Sequence, residues 1–304
     1  MGGNTMKNDI IRSHKSYFVF LDVLGFTDIV EKDADKFMNI VPEFIKCFEK
    51  AFSEAMTIHY TKNGHDGQYD INMGDCHFRI FSDSIYIWCD EPTEKDLLIL
   101  LWCMDELFIT GLKNQFPLRG AMTYGDLFVY KNTTHEFLNN ETIYGKPLIE
   151  AFKLEKMQNW SGLIISSRAW RHIESTWEGK HFAGNPDCYS LFTSHQHFIW
   201  YKVPVKANFK NDCSPYGIVL NWLKRPNDES PIQEQDIING FRKSEDKHTK
   251  ELVDNTKSFF DYTIGSQITI SPNENELGSY NSDVFIEKDE PDNNLINPSN
   301  EQKN

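Results

Sequence analysis

Apolar residues along the chain fall into short runs with two different spacings. Residues 16–22 read as a buried strand, an apolar run interrupted at Asp22, and 118–124 as a further strand. From 28 to 56, Phe37, Ile40, Val41, Phe44 and Phe48 recur on one helical stripe, with Pro42 able to bend the helix. A polar, glycine-bearing loop is expected over 61–75, and 77–81 with 85–88 predict a hairpin around Ser82-Asp83-Ser84. Thr93 predicts an N-cap, with Asp96 three residues on and apolar positions over 97–112. Residues 142–155 turn into a helix that begins at Gly145 and Pro147. Residues 163–166 predict a strand and 170–175 a short helix, while 188–192 and 198–205 read as an antiparallel pair ending the sheet. Residues 218–223 are apolar, and 233–262 read as helical with many charges.

The order β–α–β–β–α–β–α–β predicts an α/β (α+β) ferredoxin-like layer, a mixed or antiparallel sheet flanked by helices. The expected division is a flexible N-terminus over 1–15, a main domain over 16–205, a C-terminal helical extension over 206–265 and a disordered acidic tail over 266–304. From 271 onward the tail carries eight acids against two lysines, a composition that cannot bury enough apolar surface to order itself.

The formal net charge of −14 argues against a nucleic-acid partner, because a phosphate backbone needs clustered Lys and Arg. It does not argue against a nucleotide, which a metal and a few local cations can hold. The six cysteines show no CxxC pair and read as buried thiols of a reducing compartment. The N-terminus lacks an apolar signal core, and no apolar run approaches the roughly 20 residues of a membrane span. A soluble cytoplasmic protein with no membrane partner is the expectation. His195 and His197 are the closest histidine pair, but without a nearby third ligand they predict no His-ligated metal.

Two stretches each put an aspartate at a strand edge: Asp22, before Gly25, and Asp83, between two β-prone runs. An acid at the end of a buried strand costs desolvation energy unless a cation or a donor meets it. Two such acids repel unless a divalent metal lies between them. Ferredoxin-like topology makes their strands neighbours. Gly25-Phe26-Thr27 then opens a helix, where backbone N–H groups suit a polyphosphate. The Val23 carbonyl could be a further metal ligand.

Four blocks carry a resemblance. Phe20-Leu21-Asp22-Val23-Leu24-Gly25-Phe26-Thr27 resembles the metal-binding signature that opens class III nucleotidyl cyclase domains. Phe81-Ser82-Asp83-Ser84 resembles the hairpin with the second metal aspartate, and 118–125 the following core strand. Residues 145–155 resemble the last signature helix. The blocks stand in family order over residues 16–205, which makes that stretch the expected catalytic domain. The resemblance implies two Mn²⁺ or Mg²⁺ ions per site, held by Asp22, Asp83 and the Val23 carbonyl. It implies attack of a ribose 3′-oxygen on the α-phosphate of a nucleoside triphosphate, with loss of pyrophosphate. It also implies a homodimer whose sites combine the metal acids of one subunit with the last helix of the other.

The departures narrow the substrate. Positions that carry Asn and Arg in purine cyclases are Ile149 and Lys153 here, so Lys153 keeps the charge without the planar fork. The base-reading position is Arg79, with Thr142 as its partner position. Arginine only donates, which suits uracil O4 better than the cytosine amino group. This pattern resembles the bacterial pyrimidine cyclases of anti-phage (Pycsar) defence. That resemblance implies synthesis of cyclic UMP or cyclic CMP, a messenger for a separate effector, and Arg79 turns the expectation to UTP and cyclic UMP. Cytidylate or adenylate cyclase activity, or a degenerate nucleotide-binding signalling module, are the alternatives.

Several residues keep a plainer reading as well. Alone, Asp22 reads as a helix cap; with Asp83 and the other blocks it reads as a metal ligand. Arg79 could lie on the polar face of its strand. Arg119 either serves the transition state or pairs with a carboxylate under the sheet. Lys153 either serves the transition state or is an exposed helix lysine, with Ile149 and Phe152 as the core face. Lys202 and Lys206 are either phosphate contacts or solvated strand-edge lysines.

Overall fold

The computed structural model describes residues 10–32, positions within 35–53, 76–131, 141–173 with 175, 198–209, 216–223, 232–241 and 246–265. The expected loop 61–75, the strand 188–192 and the tail lie outside them, as do Cys47, Cys188, Cys213, His195 and His197.

Strand β1 (Ile10–Val23) is long, and leads through a short turn into α1 (Phe26–Lys32). It starts earlier than residue 16: residues 10–15, expected to be loose, pair with β4 (Leu118–Lys131) from Ile10↔Lys131 to Lys15↔Asp126. Described positions between 35 and 53 are helical, but of the predicted apolar stripe only Val41 is described, and it is half-buried. The hairpin is β2 (Cys76–Phe81) and β3 (Ser84–Cys89), joined by Ser82-Asp83 alone. Helix α2 (Glu94–Lys113) starts where expected: the Thr93 hydroxyl accepts from the Asp96 N–H at 3.2 Å and donates to its carboxylate. Its apolar run is buried almost all round, including Leu97, Met104, Phe108 and Leu112.

After β4 come β5 (Glu141–Gly145), α3 (Lys146–Met157), β6 (Leu163–Ile165) and α4 (Ser167–Ile173). The chain ends in β7 (Phe198–Lys202), β8 (Tyr216–Leu220), α5 (Glu234–Gly240) and α6 (Lys247–Gly265). The sheet runs β2-β3-β1-β4-β6-β8-β7, with β5 on β4, and every pairing is antiparallel except β4–β6. This is the mixed, mainly antiparallel α/β sheet expected, and β2-β3-β1-β4 with its two helical connections is its ferredoxin-like part. Gly120 lets β1 and β4 close up, because a Cβ there would collide with the Phe20 carbonyl oxygen.

The sheet does not end at residue 205. β8 lies between β6 and β7, so the partner of β7 is β8. Helix α6 also joins the core: Phe259 meets Trp160 edge-on at 4.6 Å, and the Thr256 hydroxyl accepts from the Ser161 N–H at 3.0 Å. Residues after 205 thus share one sheet and one core with those before. No helix among the described residues is long and apolar enough to cross a membrane.

Candidate functional site

Asp22 stands near the end of β1, opposite Ser84 on β3 and Arg119 on β4. Because side chains alternate along a strand, it shares a face with Phe18 and Phe20. Asp83 occupies the two-residue turn, which closes tightly because Ser82 adopts φ 57°. The Val23 N–H donates to the Asp83 carbonyl at 3.0 Å, and the Leu24 N–H donates to the Pro117 carbonyl at 2.9 Å. These two bonds tie the end of β1 to both neighbouring loops and set the Asp83 backbone against Val23, the residue after Asp22. Gly25 turns the chain into α1 at φ 76°, with open space where a Cβ would project. Gly25 and Thr27 are exposed there and Phe26 is half-buried.

Arg119 is buried beneath Asp22. Its Nε donates to Glu155 Oε1 at 2.6 Å, Nη1 to the Gln158 carbonyl at 3.2 Å, and Nη2 to Asp22 Oδ2 at 3.4 Å. Of the two readings of Arg119, the structure bears out the pairing with a carboxylate under the sheet, and it supplies two. Lys206 completes the group: burial lowers its pKa, with Arg119 beside it acting in the same direction and Glu155 and Asp22 opposing.

The Asp22 carboxyl is pushed up to about 7. Burial is the largest cause and Glu155 the next; Asp83 adds to it, while Arg119 and Lys206 pull the other way. Three carboxylates thus face two cations, and one guanidinium is shared between two of the acids. A site with that deficit, open above Gly25, fits a divalent cation. Among the described residues no three or more His, Cys, Asp and Glu side chains gather as a metal site, so the protein's share would be two carboxylates and backbone.

The other predicted residues divide. Arg79 is exposed on the Asp22 face, opposite Tyr86, whose ring is 5.4 Å from Phe20. Its guanidinium lies 5.8 Å from the centre of the Trp88 ring, and Nη1 donates to the Phe78 carbonyl at 2.8 Å. Lys153 is exposed, two residues from Glu155 and so about 200° around the helix from it. It points away from Arg119. Ile149 and Phe152 are not the core face of α3, which is instead Pro147, Ala151, Leu154 and Glu155. They are 55% and 43% exposed and form a stripe with Lys153 and Lys156. Phe152 reaches back to the Phe20 ring at 5.5 Å. Thr142 is exposed on β5 opposite Tyr130, which is eleven residues along β4 from Arg119, on the order of 35 Å. Thr142 therefore stands far from Asp22 of the same chain. Lys202 is exposed on β7.

Glu155 is the residue that sequence reasoning missed. In the pattern it is only the end of a helix block; the signal was Arg119, a charge in an apolar strand that needs a buried acid.

No family model matches the sequence, and no curated protein matches it. Among solved structures, the chain is similar to the guanylate cyclase domain of RhGC from Catenaria anguillulae in complex with GTP, at 12% identity and TM-score 0.40. That likeness covers 54% of this chain and 84% of that one. Adenylate cyclases from Trypanosoma brucei in their monomeric state match at 10% identity and TM-score 0.40, over 71% of this chain and 94% of theirs. A class III adenylyl cyclase-like ATP-binding protein from Pseudomonas aeruginosa matches at 11% identity and TM-score 0.36, over 54% of this chain and 35% of its own. At these scores the likenesses assign neither a family nor an activity to the chain.

Proposed function

We propose that the chain is a class III nucleotidyl cyclase that acts as a homodimer and converts UTP to 3′,5′-cyclic UMP and pyrophosphate. The observation that carries this reading is the junction of Asp22 and Asp83 across β1 and the β2–β3 turn, with more carboxylate charge than the local cations offset. Two Mn²⁺ or Mg²⁺ ions held by Asp22, Asp83 and the Val23 carbonyl would lower the pKa of the ribose 3′-hydroxyl and offset charge on the phosphates. The 3′-oxygen attacks the α-phosphorus in line, the bond to the β-phosphate breaks, and pyrophosphate leaves.

The protein's own residues orient this step. Arg119, fixed by Glu155 and the Gln158 carbonyl, holds the Asp22 carboxylate in place. The N–H groups of Gly25, Phe26 and Thr27 line the exposed turn where the phosphates lie. Arg79, on the same face as Asp22, donates to uracil O4. Lys153 and Thr142 point away from, or lie far from, Asp22 of their own chain, so they act from a second copy. The exposed stripe of Ile149 and Phe152 beside Lys153 is the surface that copy covers. With Arg119 engaged by two carboxylates, the partner subunit's Lys153 is left to meet the pentacovalent phosphorus. The product serves as a messenger to a separate effector in antiviral defence.

Incubation of the full chain with each of the four nucleoside triphosphates and Mn²⁺, with products identified by mass spectrometry, tests this. Cyclic UMP as the main product is expected. Cyclic CMP or cyclic AMP in its place would overturn the reading of Arg79 and leave the metal site standing. A second reading, a nucleotide-binding signalling module without turnover, is favoured by Ile149, which offers no hydrogen bond where a polar side chain steadies the ribose in purine cyclases. Saturable UTP binding with no cyclic product would establish it.

A further inference from the structure

The hairpin that carries Asp83 at its tip holds two thiols at its base. Cys76 and Cys89 are partners in the β2–β3 register, and their Sγ atoms lie 3.4 Å apart. Because the turn has two residues, Phe81 and Ser84 form a hydrogen-bonded pair, and pair types alternate outward from it. Cys76 and Cys89 then fall on a non-hydrogen-bonded pair, where Cα atoms approach to about 4.5 Å. The Cys89 backbone agrees: its N–H donates to Ser16 Oγ at 3.1 Å and its carbonyl accepts from that hydroxyl at 2.6 Å, both on the β1 side. A separation of about 4.5 Å lies within the range that a disulfide spans.

The two thiols differ in access. Cys76 is half-buried, and its Sγ lies 3.9 Å from Asp96 Oδ1. Cys89 is fully buried, and burial followed by its contact with Cys76 pushes its thiol pKa up. Cys76 is therefore the sulfur that meets a reagent first.

We propose that Cys76 and Cys89 are an oxidation site, closing to a reversible cross-strand disulfide when a hydroperoxide reaches Cys76. Cys76 gives up its thiol proton and its sulfur attacks the peroxide; an S–O bond forms, the O–O bond breaks, and the departing oxygen takes up that proton and leaves as water (as an alcohol from an organic peroxide). The Cys89 sulfur then attacks the Cys76 sulfenic acid; the S–S bond forms, the S–O bond breaks, and the Cys89 proton leaves with the hydroxide as water. The two sulfurs give up two electrons and the peroxide accepts them. Nothing in this step depends on nucleotide chemistry. The staple would close the base of the hairpin whose tip presents Asp83.

The test uses the reduced full-length chain, treated with hydrogen peroxide, quenched with N-ethylmaleimide and digested without reductant. A linked peptide pair joining Cys76 to Cys89 is expected, with the intact chain lighter by two hydrogens and dithiothreitol reversing both changes. Cys103, buried with its thiol pKa pushed up, is expected to stay reduced in the same samples. In Cys89→Ala, Cys76 is expected to accumulate as a sulfenic acid that dimedone traps. Recovery of Cys76 and Cys89 as separate maleimide adducts after peroxide would overturn the proposal. So would no dimedone adduct in a folded Cys89→Ala protein, or a disulfide from Cys76 to any other cysteine.

Discussion

Arg119 Nη2 lies 3.4 Å from Asp22 Oδ2, at directly paired positions of β1 and β4. The same guanidinium is bonded to Glu155, which is 3% exposed. Arg119 thus balances two acids at once, one facing the open site and one in the core. Removing it breaks the direct ion pair of the buried Glu155 and leaves that carboxylate only the more distant charge of Lys206, a loss of the kind that typically costs about 3–5 kcal/mol. Arg119→Ala is expected to lower unfolding stability by about 3 kcal/mol in urea titrations. Adding Glu155→Gln to it should recover part of that loss, because the buried charge is then gone. Equal losses in the single and double variants would show that the pair is not coupled.

Asp22 binds its proton more tightly in the folded chain than in the unfolded one, with a pKa about 7 against 3.8. Ionising it therefore weakens the fold. The penalty is absent below the unfolded pKa, grows as pH rises between the two values, and is complete above about 7. Without metal, Asp22→Asn is expected to be more stable than the parent chain at pH 8. The gain should be on the order of 4 kcal/mol at most, because the pull of Arg119 is already contained in the shift. The difference should vanish toward pH 4. Melting temperatures of both proteins across that window check it. Mn²⁺ should raise the parent's melting temperature and leave the variant's unchanged.

The proposed division of the site between two subunits has its own test. Asp83→Ala and Lys153→Ala are each expected to be inactive alone. Mixed and allowed to exchange subunits, they should regain about a quarter of the parent activity, since about half of the dimers then hold one intact site. Ile149→Asp, on the exposed stripe of α3, is expected to yield a folded monomer in sedimentation without activity. Activity in a strictly monomeric sample would contradict the shared site.

Helix α6 is part of the same core as the site. Phe259 is fully buried against Trp160, and the Asn255 side chain donates to the Asn159 carbonyl at 2.7 Å, next to the Gln158 carbonyl that holds Arg119. Phe259→Ala is expected to cost about 3–4 kcal/mol in thermal or urea unfolding. A change below about 1 kcal/mol would mean that α6 is a detachable appendage.

How much of this was legible in the sequence follows from what each residue type must satisfy. The central parts of β1 and β4 and the helix α2 are mostly apolar where they are buried, so they could be read directly, whereas residues 10–15 and β5, whose strand character depends on pairing with β4, could not. The Thr93 cap and the turn at Ser82-Asp83 were local signals, and both aspartates were visible as charges inside β-prone runs. The face of α3 was not legible. Ile149 and Phe152 look like core residues by hydropathy, yet Glu155 occupies the core because Arg119 meets it there. The place of β8 between β6 and β7 depends on long-range pairing, which no local spacing encodes. Thr142 and Lys153 match positions in a motif, but only coordinates reveal that they stand away from Asp22 of their own chain.

The proposed sharing of divalent cations by Asp22 and Asp83 is tested most directly by titrating the metal itself. Mn²⁺ binding to the full chain would be counted by electron paramagnetic resonance with a non-hydrolysable UTP analogue present, in the parent and in Asp83→Ala. Two bound ions per subunit are expected in the parent, with tight binding lost in a variant whose circular dichroism is unchanged. An Asp83→Ala protein that bound the same number of ions with the same affinity would contradict the joint site.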